Sequence, residues 1–218
     1  MIVSIIDIRE SHKIEPILRK RVFETIDAEL KYIRSALHGE SMAGPQRVRS
    51  DEIELAANNW PIHARVIHFL LAQNLRIYVG LGAHRIDIWN PEDINACDGP
   101  AFWKASEALE KAKKKVKTKR MKTTVFIDYI VEPDTPIDLL QGIMLIIMYT
   151  AWIQKLKPKT RLYLYEYIWR NKTISRIAEE YNKTPQNIYK IINRTLAGPI
   201  KEIIEYYQNS LFDQGTAP

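Results

Sequence analysis

The chain has 218 residues, 46% apolar and 27% charged, a balance that allows a buried core and excludes a disordered, collagenous or low-complexity protein. Its single cysteine, Cys97, excludes an intrachain disulfide and a cysteine-based zinc site, and points to a reducing compartment, the cytoplasm. A net charge of +6 with an isoelectric point near 9.2 favours polyanionic partners.

The apolar, β-branched run from Ile2 to Ile8 reads as a central strand with Asp7 near its end, and it lacks the basic start and cleavage site of a secretory signal. Pro16 opens an amphipathic helix with Leu18, Val22, Ile26, Leu30 and Ile33 on its inner stripe. Residues 41–45 read as a turn. Residues 47–56 read as a hairpin, because Val48, Ile53 and Leu55 are separated by Arg49, Asp51, Glu52 and Glu54. Pro61 sits where a helix can begin, with Val66, Ile67, Leu70 and Leu71 as its apolar face. A second buried strand follows over residues 75–81, where Gly80 and Gly82 signal close backbone approach. Gly99-Pro100 precedes a helix over residues 101–115, and residues 123–131 form a last strand. In this order the elements predict an α+β protein that opens with a ferredoxin-like α/β sandwich.

Two prolines and two acids in residues 132–136 place a domain boundary there, giving an α/β domain over residues 1–133 and an all-α domain over residues 134–218. Residues 137–154 are apolar, but Gln141 interrupts them and they fall short of the ~20 residues that span a bilayer, so a buried helix is expected and no membrane partner. This helix is also the surface expected for self-association. In residues 161–169, Tyr163, Tyr165, Tyr167 and Trp169 recur at strand spacing between helical segments. They suit either core packing or stacking on bases.

The clearest motif runs from Ile174 to Arg194. Ala178 is the small residue that lets two helices cross closely, Asn182 tolerates positive φ in the turn, and Ile177, Tyr181, Ile188 and Ile191 are expected to face inward. Thr184 is a good N-cap and Pro185 suits the first helical turn. A helix-turn-helix built this way directs Gln186, Asn187, Tyr189, Lys190, Asn193 and Arg194 outward, with Thr184 at the head of the helix. Gln and Asn can pair with adenine edges, and Lys and Arg with guanine or phosphate. A helical hairpin that contacts only protein is the alternative. Two basic stretches add to the case for a polyanion: residues 111–122 hold eight Lys or Arg and no acid, and residues from 154 onward hold eleven bases against six acids.

A second constellation is acidic. In a ferredoxin-like sheet the first strand and the hairpin lie side by side, which would bring Asp7 near Asp51 and Glu52. Converging oxygens of this kind hold Mg²⁺ or Mn²⁺ for phosphoryl or nucleotidyl transfer. The plainer alternative is a set of solvated or capping carboxylates. The five histidines include no i,i+4 pair, and the chain has no Walker loop and no G-x-S-x-G elbow.

Several of these segments together resemble the SatD family: Ile6-Asp7-Ile8 with Ser11, Ser50-Asp51-Glu52, Arg76-Ile-Tyr-Val-Gly-Leu-Gly82 and, most specifically, Asp98-Gly-Pro-Ala-Phe-Trp-Lys-Ala-Ser-Glu-Ala-Leu-Glu110. The resemblance covers nearly the whole chain. It implies a C-terminal helix-turn-helix preceded by a segment similar to Lys157-Pro-Lys-Thr160. It also implies an N-terminal domain similar to the palm of nucleotidyl cyclases and polymerases, with metal-holding roles for Asp7, Asp51 and Glu52. Here Ile6 replaces the Gly usual before the Asp, and Ser50 and Ile53 replace the Gly and Phe of Gly-Asp-Glu-Phe, which leaves less room for a triphosphate. Asp98 in its turn either starts the following helix or touches a ligand.

Two functional readings follow. The first is a DNA-binding transcriptional regulator that needs no cofactor, reads duplex DNA as a homodimer and uses its palm-like domain as a sensor or oligomerisation module. The second is a metal-dependent enzyme that binds or processes a nucleotide through Asp7 and Asp51. Binding is favoured over catalysis.

Overall fold

Strand β1 (Ile2–Ile8) runs through the middle of a five-stranded sheet of order β2-β3-β1-β4-β5, whose other strands are β2 (Met42–Arg47), β3 (Glu52–Ala57), β4 (Ile77–Ala83) and β5 (Val125–Ile130). β1 is antiparallel to β3 and β4, β2 is antiparallel to β3, and β5 adds parallel to β4 at the far edge. The computed structural model describes residues 1–36, 41–119 and 123–214 and divides into two compact units, Met1–Gln154 and Lys155–Pro218. Its mixed sheet, with eight α-helices among the described residues, makes the protein α+β.

β1 is apolar on both faces because both are covered. Ser4 points toward α2 (Trp60–Ala72) and Ile2 toward α4 (Ile137–Gln154), while Val3 and Ile5 pack with Ala101, Ala105 and Leu109 of α3 (Pro100–Lys119). The α3 layer sits unusually close to β4. A Cβ placed on Gly80 would lie 2.1 Å from the Ala105 carbonyl, and one on Gly82 would lie 2.3 Å from that of Ala101, so only glycine admits the helix backbone.

The opposite layer is held by buried polar contacts. Ser4 donates to His63 Nδ1 at 2.6 Å, and His63 Nε2 donates to the Ala57 carbonyl at 3.2 Å. With its proton on Nε2 the ring is neutral, and burial pushes its pKa down to about 4. His68 Nδ1 meets the Tyr149 hydroxyl at 2.8 Å and ties α2 to α4. Arg65 of α2 pairs with Glu29 of α1 (Pro16–Ala36), both buried, and lies over the Tyr32 ring.

The structure departs from the sequence reading at four places. Residues 42–45 are part of edge strand β2 and not a turn: Gly44-Pro45 is cis, and a bulge between Ala43 and Gln46 accommodates a proline that has no N–H to give to the ladder. In α1, Leu18 is exposed, and the buried stripe starts at Ile26. β4 begins two residues later than expected. The first unit also continues past the prolines of 132–136. α4 packs Leu139, Ile143, Ile146, Tyr149 and Ile153 inward, so the division between units falls after Gln154. Among the described residues α4 is the one helix long and apolar enough to cross a membrane; it buries one stripe at i, i+4, i+7 and leaves Ile137, Met144 and Met148 exposed.

The second unit is helical. Its helices are α5 (Pro158–Ile168), α6 (Ile174–Glu180), α7 (Pro185–Arg194) and α8 (Ala197–Gln214). The strand-like spacing at residues 161–169 is resolved as helix α5, whose Tyr163 and Tyr165 are buried, with Trp169 at its C-cap buried as well. These rings are core and are not available to stack on bases.

Candidate functional site

Helix α7 begins where the chain can begin a helix. Thr184 has an extended backbone, and its hydroxyl accepts from the Asn187 N–H, one of the four donors a helix start leaves unpaired. Pro185 occupies the first turn without loss, having no N–H to pair. In the four-residue turn before it, Asn182 takes φ 50°, a conformation Asn tolerates better than most residues. Ile177 and Ala178 of α6 are fully buried, so the two helices meet closely.

The inner side of α7 is Ile188 and Ile192. Ile192 takes the inward place expected for Ile191, because i+4 from Ile188 falls nearer the buried face than i+3, and Ile191 is half-buried. Gln186, Asn187, Tyr189, Lys190, Asn193 and Arg194 are all exposed, as is Thr184. α7 carries no acid. Nearby acids are drawn into local ion pairs: Lys172 lies 2.6 Å from both Glu166 and Glu180, and Arg176 lies 3.9 Å from Glu179. Tyr181, half-buried, sits 5.1 Å from the Tyr163 ring. Burial, with Glu166 and Glu180 nearby, raises its hydroxyl pKa and keeps it neutral. The result is an acid-free, polar helix face on a buried apolar base.

The acidic constellation is arranged differently from a shared site. Asp7 and Glu52 are cross-strand partners on the α3 face. Asp7 Oδ2 lies 2.6 Å from Lys113 Nζ, which also lies 3.3 Å from Glu110. Burial alone would lower the Lys113 pKa, but the hydrogen bonds and charges of Asp7 and Glu110 outweigh it and raise the pKa, so the ammonium persists. Asp51 instead accepts from Ser11 Oγ at 2.7 Å, and Glu52 lies 3.5 Å from Arg49. Each of the three carboxylates therefore has a different partner. Among the described residues no group of three His, Cys, Asp or Glu is arranged to hold a metal.

Beside Asp7 opens a cleft of about 710 Å³, lined by Glu52, Glu54, Asp98, Glu107 and Glu110 against a single base, Arg49. Burial in this cleft, with the Glu52 charge beside it, pushes the Glu54 carboxyl up to about 7 against the pull of Arg49. Nothing in the sequence reading singled out Glu54; its place in a strand facing a helix that arrives much later in the chain was the missing signal. Asp98 has a structural role: its carboxylate accepts from the Gly99 N–H at 2.7 Å and from Trp103 Nε1 at 2.8 Å, which fixes the start of α3.

The described part of the basic run is engaged within its own unit. Lys111 pairs with Glu107, Lys113 with Asp7 and Lys115 with Asp128. Lys117, Lys119, Arg120 and Lys122 lie outside the described side chains. Compared with known proteins, the chain matches no family model, no curated protein and no solved structure.

Proposed function

We propose that the protein is a cytoplasmic, sequence-reading DNA-binding regulator that lays α7 in the major groove. The observation that carries this reading is the sorting of α7: Ile188 and Ile192 buried, six polar side chains exposed and no carboxylate among them. Asn187 and Gln186, near the N-terminal end that recognition helices point at base edges, have the donor and acceptor pairs that match adenine. Lys190, Asn193 and Arg194 continue the same face toward guanine or phosphate. A homodimer follows as part of the reading, since one such helix covers only one half-site.

In the same reading the first unit is a ferredoxin-like, palm-like sensor or oligomerisation module. The order β2-β3-β1-β4, with α1 and α2 as crossovers, is that of two split β-α-β units, and β5 extends it. The likeness to the SatD family supports the pairing of such a domain with a C-terminal helix-turn-helix.

The test starts from duplex fragments enriched on the full-length protein from a genomic library. On the enriched duplex, Lys190→Ala and Arg194→Ala are each expected to weaken binding by about 1–3 kcal/mol if they read bases. A variant that removes a phosphate contact is expected to lower the salt slope by about one. Unchanged affinity in both variants, with the fold intact by circular dichroism, rejects the reading.

A further inference from the structure

The ammonium of Lys113 stands at the one carboxylate of β1. It lies 2.6 Å from Asp7 and 3.3 Å from Glu110, so it bridges a strand acid and a helix acid as a cation would. Its partner Asp7 has a 20% exposed side chain and Lys113 a 26% exposed one, so water reaches the pair but neither group is free in solvent. A persistent ammonium here satisfies Asp7 with one positive charge and blocks approach of a second.

The ground around it points the same way. The cleft that a nucleotide would enter is lined by five carboxylates, three of which already have a cation of the protein's own: Glu52 with Arg49, Glu107 with Lys111 and Glu110 with Lys113. Asp51, the hairpin acid that would complete a metal set, is turned to Ser11.

We propose that Lys113 is a built-in counter-ion filling the place at Asp7 where a palm-like domain would hold a divalent metal, so that the first unit binds neither Mn²⁺ nor a metal-nucleoside triphosphate. This rests on the palm-like reading of the sheet and is independent of DNA recognition by α7. Asp7 and Lys113 then act in architecture, tying β1 to α3.

The experiment is Mn²⁺ titration of the full chain followed by electron paramagnetic resonance of the free ion, on wild type, Asp7→Asn, Lys113→Met and the Asp7→Asn/Lys113→Met pair. Wild type and Asp7→Asn are expected to bind Mn²⁺ equally weakly, with ATP or GTP present or absent. Lys113→Met is expected to gain about tenfold in Mn²⁺ affinity through Asp7 and Glu110, and the double variant to lose that gain. Wild-type binding that Asp7→Asn weakens overturns the proposal while leaving the palm-like reading standing. Wild type and folded Lys113→Met both inert overturns it together with that reading, because the ammonium would then mark no cation position. Should Lys113→Met not fold, Lys113→Gln takes its place in the same titrations: a gain in Mn²⁺ affinity that Asp7→Asn removes upholds the proposal, and a folded variant with no gain overturns it.

Discussion

In the first unit, polar groups near the sheet find partners within the protein: Ser4 with His63, Asp7 with Lys113, Asp51 with Ser11, Asp128 with Lys115. In the second, the polar side chains of α7 face solvent over a base of buried isoleucine. Both regions are rich in groups that can do chemistry or recognition, and composition alone does not tell them apart. Pairing does. A carboxylate already bridged by an ammonium contributes to holding layers together, whereas an unpaired amide on a rigid helix is available to a ligand at little conformational cost.

That contrast is broken most severely at the layer contact itself. Gly80→Ala drives a methyl group into the backbone of α3 at 2.1 Å, so the helix must move off the sheet. A loss of about 3 kcal/mol or more is expected in urea unfolding followed by circular dichroism. A loss below about 1 kcal/mol would show that α3 is loosely seated, and the pairing of Lys113 with Asp7 would lose its frame.

The buried dyad gives an effect of similar size that depends on pH. His63 has an ordinary pKa of 6.5 when unfolded and about 4 when folded. Above pH 6.5 both states hold the ring neutral. Between 6.5 and 4 the unfolded chain takes up a proton that the folded chain refuses, so stability falls as pH drops, by about 3 kcal/mol over the whole window. His63→Asn removes this contribution. The difference in unfolding free energy between wild type and variant should therefore shrink steadily from pH 7 to pH 4, and a constant difference contradicts the neutral, buried ring.

In the second unit the expected stability effects are smaller and local. Thr184→Ala removes the cap on α7 and is expected to cost about 1 kcal/mol. Gln186→Ala, on the exposed face, is expected to stay within about 0.5 kcal/mol. If Gln186→Ala proved as costly as the cap variant, the polar face of α7 would be structural, and the contrast between the two regions would fail.

How much of this was legible follows from the range of the interactions. Local periodicity marked β1, α4 and the helices around Asn182, and the N-cap at Thr184 could be read because a cap lies within three residues of its partner. The turn reading at Gly44-Pro45 followed from treating those residues as punctuation, when an edge strand tolerates both. The prolines near 133 marked a loop, but the end of the unit was decided by α4 docking on α2 through His68 and Tyr149. Asp7 was visible as a strand-end acid. That its partner would be a lysine of α3 was not, since the contact depends on how closely the glycines of β4 admit that helix.

One expected effect has the opposite pH dependence. Glu54 has an ordinary pKa of 4.5 when unfolded and about 7 when folded, raised first by burial and then by the charge of Glu52, with Arg49 opposing. Below pH 4.5 both states are protonated and any stability from the neutral acid is fully present. As pH rises through the window up to 7, the unfolded chain releases its proton before the folded chain does, and stability is lost. Glu54→Gln keeps the side chain neutral at every pH. It should match wild type near pH 4 and exceed it at pH 8 by less than about 1 kcal/mol, because solvent in the cleft screens the crowded carboxylates. Equal stabilities at pH 4 and pH 8 would mean that the cleft is as wet as bulk solvent.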